Sequence, residues 1–96
     1  MEIKWLRKAL SNLTQEADYI AETDPGAAMR VVESTTSAIG LLADNPALGH
    51  PGRIPGTREL IVPATRYIVP YRVNARLKRV EILRVFHSSR KLPESW

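Results

Sequence analysis

The sequence predicts an α+β fold of two layers, in which a helical hairpin packs on one face of a small, mainly antiparallel sheet. Two amphipathic helical patterns fill residues 6–44. Further along, two runs rich in β-branched and aromatic residues, 66–73 and 79–90, flank a short polar segment, which is the pattern of a β-hairpin. A lone hairpin needs a second layer to cover it, and the helices would supply that layer. The expected order is β-α-α-β-β-β, with the second face of the sheet open.

The first half of the chain supplies a strand and two helices. Residues 1–5 alternate between apolar and polar side chains, as a short strand does. An apolar stripe with spacings of four and three residues then predicts a helix to about Glu22. The stripe comprises Leu6, Leu10, Leu13, Ala17 and Ile20. Asp24 and Pro25 are typical of an N-cap and a first helical position, so a second helix is expected from Pro25 to about Asp44.

The second half supplies a loop and three strands. Residues 46–56 hold three Pro and three Gly, which predicts a loop stiffened by proline. A strand is expected from Thr57 to Val62. Pro70 lies inside the following strand, where it cannot donate a ladder hydrogen bond, so we expect a bulge or an unpaired edge there. In the tail, Pro93 argues against a long final helix.

Length and composition narrow the class of protein. The 96 residues predict one domain, 1–96. The chain has no Cys, which excludes disulfides and Cys-ligated metal sites, and its two His have no acidic cluster beside them, so no metal site is expected. No phosphate-binding loop motif is present, and no cofactor is expected. No apolar run approaches the ~20 residues of a membrane span, so we expect a cytoplasmic protein without a membrane partner.

Charge is distributed unevenly along the chain. Residues 1–52 hold four Lys and Arg against seven acids, a charge of −3, whereas residues 53–96 hold ten against three, a charge of +7. This asymmetry predicts an anionic partner for the second half, either nucleic acid or an acidic protein segment. The predicted binding face of the sheet carries Arg58, Arg66, Arg72, Arg84, Arg90 and Lys91. The alternative is that these arginines pair with Glu59 and Glu81 and are structural.

His87 ends the last predicted strand. Histidine has an ordinary pKa of about 6.5 and can act as a general acid or base, so beside arginines it could protonate a leaving oxygen in phosphoryl chemistry. The alternative is a structural histidine at a strand end. His50 falls in the loop, and we expect it at the surface without chemistry.

Four segments together resemble the RelE/ParE superfamily of bacterial type II toxins. They are residues 18–21 (DYIA), 55–62 (PGTRELIV), 67–73 (YIVPYRV) and 80–93 (VEILRVFHSSRKLP). The resemblance covers nearly the whole chain and is most specific in the hairpin. It implies the fold order β-α-α-β-β-β, already expected above, and a toxin held inactive by a cognate antitoxin that is similar to ParD or RelB.

Two activities occur on this fold, and the resemblance implies one of them. RelE-like members cleave mRNA in the ribosomal A site, and by position Arg66, His87 and Arg90 would be the catalytic residues. ParE-like members poison DNA gyrase without nuclease chemistry. The chain departs from RelE in two ways, because no Tyr lies near the last motif and the loop lacks a lysine pair. The motifs are closer to ParE, so gyrase is the expected target. A third hypothesis is a non-toxic module that binds only an antitoxin or DNA.

Overall fold

The computed structural model describes residues 1–90 and 95–96. Its helices and strands are β1 (Glu2–Trp5), α1 (Arg7–Ala21), α2 (Pro25–Gly40), β2 (His50–Pro51), β3 (Arg58–Ile61), β4 (Tyr67–Asn74), β5 (Arg79–Ile82) and β6 (Phe86–His87). A short 3-10 turn, Leu41–Ala43, follows α2. Within the described residues, neither helix is long and apolar enough to cross a membrane.

The strands form one mixed sheet in the order β1-β5-β4-β3-β2, and β6 also pairs with β4. The β1–β5 pair is parallel, and every other pair is antiparallel. Both helices lie on one face of this sheet, because their buried residues join the core cluster of the strands. The predicted α+β class, its two layers and its order of elements are therefore confirmed, with β2 added and the last strand divided into β5 and β6.

The core lies between α1, α2 and the inward face of β4 and β5. Tyr67, Val69 and Tyr71 alternate along β4 and are all buried in it, as are Val80 and Ile82 of β5. The alternation of a strand predicted this face. The hairpin thus supplies Tyr71, the largest fully buried side chain among the described residues, and Ile39 and Leu42 from the helical side follow it in size.

The helices begin where the sequence predicted, but α1 presents a neighbouring stripe. The Asp24 carboxylate caps α2 by accepting a hydrogen bond from the Ala27 N–H at 3.0 Å. Leu10 was expected in the core and is 50% exposed, whereas Ala9 is fully buried. A side chain as small as that of Ala9 lets the helix lie close against the sheet, so the buried stripe runs through Ala9, Leu13 and Glu16.

Pro70 coincides with a β-bulge, one of the two outcomes expected for it. Pairing of β4 with β5 ends at Tyr71 and Ile82, and pairing with β6 resumes at Ile68 and Phe86. Residues 83–85 therefore oppose only Val69 and Pro70, which is one residue too many and defines a bulge. The Leu83 N–H donates to the Pro70 carbonyl at 3.0 Å. The missing N–H of Pro70 thus lies where the ladder is interrupted.

The loop of residues 46–56 is more ordered than the sequence predicted. His50 and Pro51 pair with Glu59 and Arg58 as the short strand β2. The Gly49 N–H donates to the Tyr71 hydroxyl at 2.9 Å, and that hydroxyl donates to the Pro46 carbonyl at 2.7 Å. A β-carbon on Gly49 would lie 2.7 Å from the Glu59 carbonyl oxygen and from the Tyr71 ring, so this close approach requires glycine.

The second face of the sheet is less open than expected. Ile68, Pro70 and the carboxylates of Glu59 and Glu81 all point to this face and are buried. Long side chains cover them: arginines fold over both carboxylates, and the ring of Trp96 stands edge-on to that of Phe86 at 6.0 Å. The face is therefore exposed at its margins rather than at its centre.

Candidate functional site

The predicted basic residues do not form one continuous face. They occupy a cleft at one end of the sheet (Arg66, Arg90), the hairpin end of β4 (Arg72), the helix-facing side of β3 (Arg58) and the bulge (Arg84). Lys91 lies outside the described residues. The sequence analysis placed Arg58 on the second face, but this was wrong, because Arg58 pairs in register with Tyr71, which faces the helices. At Arg84 the bulge shifts the alternation.

The cleft brings together the three residues that a nuclease would use. It has a volume of about 400 Å³ and lies where the start of β4 meets the end of β6 and the side of α1. Arg66, His87 and Arg90 line it, together with Glu16 and Tyr67. Residues far apart in sequence thus meet at one end of the sheet, which is the arrangement that the RelE-like hypothesis requires.

A buried carboxylate organises this cleft. The Tyr67 hydroxyl donates to Glu16 Oε2 at 3.0 Å, and Arg90 Nη1 lies 2.6 Å from Glu16 Oε1. Burial, and after it the hydrogen bond to Glu16, raises the pKa of Tyr67 to about 12. The sequence analysis missed Glu16, although its spacing from Ala9 and Leu13 places it on the buried stripe of α1. That spacing was the available signal.

His87 is held by its own strand end. The Ser89 N–H donates to His87 Nδ1 at 3.2 Å, and Ser89 Oγ lies 2.7 Å from the same nitrogen. Since Nδ1 accepts, the neutral ring carries its proton on Nε2. The ring also stands edge-on to Tyr67, with centroids 5.3 Å apart. Arg66 is exposed at the rim, and its side chain makes no hydrogen bond or ion pair with any other described residue.

Two predicted arginines serve the fold. The Arg58 guanidinium donates to the Gly49 carbonyl at 2.9 Å and to the Ala47 carbonyl at 3.1 Å, which fixes the loop before β2. Arg84 Nη1 donates to the neighbouring Leu83 carbonyl at 2.7 Å, and burial lowers the pKa of Arg84. Arg58 and Arg84 therefore have structural roles, but they bind backbone carbonyls and not the carboxylates that the sequence analysis suggested.

The predicted glutamates have arginine partners of their own. Glu59 accepts from the Arg53 backbone N–H at 3.0 Å, and Arg53 Nε lies 3.4 Å from its other oxygen. Glu81 is held by Arg72 at 2.5 Å and by Arg79 at 2.6 Å. Among the described members of the predicted set, Arg72 alone pairs with a predicted glutamate.

A separate apolar groove runs between α2 and the outer edge of β3. It has a volume of about 640 Å³, and its walls include Ala38, Leu41, Leu48, Leu60 and Ile61. Leu41 and Leu48 expose their side chains in this groove, whereas Ile61 is in register with Ile68 and directs its exposed side chain toward the second face. A groove of this size with so much exposed apolar surface is typical of a binding site.

The backbone of Ile61 faces this groove. The Thr57 carbonyl accepts from Gly52 on the β2 side, and the Val62 N–H donates to Tyr67 on the β4 side. Backbone groups of successive residues in a strand point to opposite sides, so Ile61 directs its N–H and C=O outward. Strand β2 covers only Arg58 and Glu59 of this edge. No other described residue pairs with this position, so it is open to an added strand beside the apolar groove.

Sequence comparisons with known proteins find bacterial toxins. Residues 3–92 match the family described as ParE toxin of type II toxin-antitoxin system, parDE. The chain is 44% identical over 92 residues to protein Y4kP of Sinorhizobium fredii, covering 96% of this chain and 93% of that protein. It is 34% identical over 89 residues to toxin RelE2 of Caulobacter vibrioides, covering 93% and 97%.

Two solved structures share the fold over nearly its whole length. The chromosomal ParDE toxin–antitoxin system from Pseudomonas aeruginosa gives a TM-score of 0.79 at 30% identity, covering 91% of this chain and 95% of that one. The RelBE2 toxin–antitoxin complex from Mycobacterium tuberculosis gives 0.60 at 28% identity, covering 90% and 95%. The chain belongs to the ParE toxin family of type II toxin–antitoxin systems, within the RelE/ParE superfamily.

Proposed function

We propose that this toxin arrests growth by poisoning DNA gyrase and is neutralised by a cognate antitoxin that binds the groove beside α2. The observation that carries the choice of target is the Glu16–Arg90 pair at 2.6 Å. A nuclease cleft would offer its cations to a phosphate, but here a buried carboxylate already holds one of them. The higher TM-score with the ParDE structure, 0.79 against 0.60, supports the same choice.

Electrostatics explain why the pair matters. Glu16 is only 7% exposed, so its charge is poorly screened by water and offsets part of the attraction of Arg90 for an incoming phosphate. Among the described residues that line the cleft, Arg66 is then the cation left to stabilise the charge that develops during phosphoryl transfer. A single exposed arginine is a weak substitute for the converging donors that this chemistry uses.

The second candidate is a RelE-like, ribosome-dependent endoribonuclease. One observation favours it: His87 and Arg66 line the same cleft. In that mechanism Arg66 stabilises the phosphate and His87 protonates the leaving oxygen. Removing a general acid of this kind lowers the rate by about 10²–10⁴-fold.

The experiment is growth arrest after induction of His87→Ala, with the DNA-damage response and mRNA decay followed in parallel. We expect full toxicity and a DNA-damage response, because gyrase poisoning needs no proton transfer. His50→Ala is the matched control, since His50 lies on β2, away from the cleft. If His87→Ala lost toxicity while His50→Ala kept it, and the wild type cleaved mRNA at A-site codons, the toxin would be a nuclease instead. An inert wild type that still binds its antitoxin would indicate the non-toxic module.

The groove supports an antitoxin segment of defined chemistry. An extended, amphipathic segment could pair with the outward backbone of Ile61 and place apolar side chains against Leu41 and Leu48. Acidic residues of the same segment would meet Arg53, whose side chain is 56% exposed beside β2. Apolar burial is not screened by salt, so such a complex should weaken only in part as ionic strength rises.

Leu41→Asp tests this docking, because Leu41 lines the groove and its side chain is exposed. A charge in the groove should weaken antitoxin binding by 100-fold or more, on the order of the energy of an interface hot spot. Leu77→Asp is the control, because Leu77 is a similarly exposed apolar residue in the distant hairpin turn. Equal binding by both variants, measured with the product of the neighbouring gene, would contradict the proposed location.

A further inference from the structure

Two arginines share one buried carboxylate at the hairpin end of the sheet, far from the cleft. Arg72 Nε lies 2.5 Å from Glu81 Oε1, and Arg79 Nη2 lies 2.6 Å from Glu81 Oε2. Arg79 Nε also donates to Oε2 at 2.7 Å. Arg66, in the cleft, is six residues before Arg72 along an extended chain, so the two sites are about 20 Å apart.

Glu81 orients these guanidinium groups without neutralising both. Its side chain is 3% exposed, and the hydrogen bond from Arg72 is the main reason that the pKa of Glu81 is lowered, so the carboxylate is charged at neutral pH. The side chain of Arg72 is 52% exposed, and its two terminal nitrogens have no partner among the described residues. The pair thus keeps a net positive charge and presents fixed donors to solvent.

More cations surround this pair. Lys4 of β1 stands opposite Glu81 in register, so lysine, glutamate and Arg72 form a row across three neighbouring strands. Arg76 and Lys78 lie in the adjoining turn. The turn is ordered, because the Asn74 side-chain oxygen accepts from the Leu77 N–H at 3.0 Å.

The carboxylates here are fewer than the cations. The acids near these cations are Glu81 and Glu2, and Glu2 stands opposite Arg79 in register. Counted over the described residues, the hairpin patch, defined as Lys4, Arg72, Arg76, Lys78 and Arg79, therefore has five cations against two acids.

We propose that the hairpin patch is a binding site for the phosphate backbone of a nucleic-acid duplex. Guanidinium forks that a carboxylate holds in place suit phosphate oxygens, and rigid strands fix their spacing. Backbone binding draws its affinity from charge neutralisation and needs no apolar pocket. An acidic protein partner would depend on a cluster of apolar side chains that it could bury, whereas the described turn, residues 75–78, exposes a single large apolar side chain, Leu77. Duplex nucleic acid is therefore the favoured ligand.

This site goes beyond either toxin mechanism. Neither gyrase poisoning nor mRNA cleavage in the cleft assigns a role to the hairpin turn. The patch would bring the toxin to DNA or structured RNA without reading base sequence, since phosphate contacts set position rather than specificity.

The test measures binding of the full chain to a fluorescein-labelled 24-base-pair DNA duplex by anisotropy, between 50 and 200 mM NaCl. The first variant is Lys4→Gln/Arg76→Gln/Lys78→Gln, which leaves the Arg72–Glu81–Arg79 contacts intact. The control is Arg7→Gln/Lys8→Gln/Arg30→Gln, which removes the same charge from exposed positions of the helices. We expect the slope of log K against log salt to fall by about 0.9 for each lost phosphate contact in the first variant.

The control should keep nearly the wild-type slope. Equal losses in the two triple variants would reduce the effect to net charge and overturn the site. Absence of duplex binding by the wild type would do the same. Displacement by poly-L-glutamate as effective as displacement by unlabelled duplex would assign the patch to an acidic protein instead. Arg72→Gln, which leaves Glu81 paired with Arg79, should reproduce part of the loss.

Discussion

Glu16→Ala should destabilise the fold, because Glu16 ties α1 to β4 and to the end of the chain's last strand. The Tyr67 hydroxyl would lose its acceptor in a buried place, which costs about 1–3 kcal/mol. The Arg90 side chain is 59% exposed and can be hydrated, so losing this ion pair adds only about 0–1 kcal/mol. The expected cost is therefore about 1–4 kcal/mol. A central value of ~2.5 kcal/mol lowers Tm by about 10–20 °C in a domain of this size.

Urea unfolding followed by circular dichroism measures this cost. Glu16→Gln is the matched control, because the amide keeps an oxygen acceptor for Tyr67, and it should lose no more than about 1 kcal/mol. Tyr67→Phe completes a double-mutant cycle with Glu16→Ala, and a coupling of about 0.5–3 kcal/mol is expected for residues in contact. Full additivity, or an unchanged midpoint in Glu16→Ala, would refute the role given to this carboxylate.

The same hydroxyl predicts a loss of stability in alkali. The pKa of Tyr67 is raised to about 12 in the folded protein, mainly by burial, from an ordinary value of 10.0. A raised folded-state pKa means that the stabilisation is fully present below pH 10 and is lost between about pH 10 and pH 12. Two pKa units correspond to about 2.7 kcal/mol. The stability advantage of wild type over Tyr67→Phe should shrink by roughly that amount across this window, and a constant difference would count against the bond.

Three further predictions concern the fold. Leu13→Ala should cost about 2–5 kcal/mol in urea unfolding because Leu13 is core, whereas the exposed Leu10→Ala should change stability by less than about 1 kcal/mol; equal effects would contradict the stripe assigned to α1. Tyr71→Phe should cost about 1–3 kcal/mol, since two loop hydrogen bonds depend on its hydroxyl, and amide exchange at Gly49 should speed up. The pKa of Glu81 is lowered in the folded protein, so its contribution to stability is fully present above pH 4.5, the ordinary pKa of glutamate, and is lost as the pH falls below that value. Arg72→Gln should therefore make the free energy of unfolding fall less steeply with decreasing pH in the acid range.

Local pattern predicted the helices, the hairpin and its inward face. The apolar periods of 3.6 and 2 residues encode which side of an element is buried, and Asp24-Pro25 encodes where α2 begins. The Pro70 bulge followed from the missing donor of proline alone. These features depend on neighbours in sequence, so a single chain suffices to predict them.

Features that depend on distant partners were missed. The two residues of β2 pair only because Tyr71 and Arg58 hold the preceding loop, and no local pattern announces that. Glu16 was not singled out, because the tyrosine that satisfies it lies 51 residues away in sequence. Arg58 was placed on the same face as Arg72, because the sequence does not give the register between strands. Arg66, His87 and Arg90 do line one cleft, but the carboxylate that pairs with Arg90 was not predicted.

The measurement that tests the central claim most directly is a side-by-side assay of the purified toxin on gyrase supercoiling and on ribosome-dependent mRNA cleavage. Toxin already bound to its antitoxin serves as the control and should be inactive in both. We predict inhibition of supercoiling by wild type and by His87→Ala alike, with no codon-dependent cleavage. Cleavage at A-site codons that His87→Ala abolishes, with gyrase unaffected, would contradict the account.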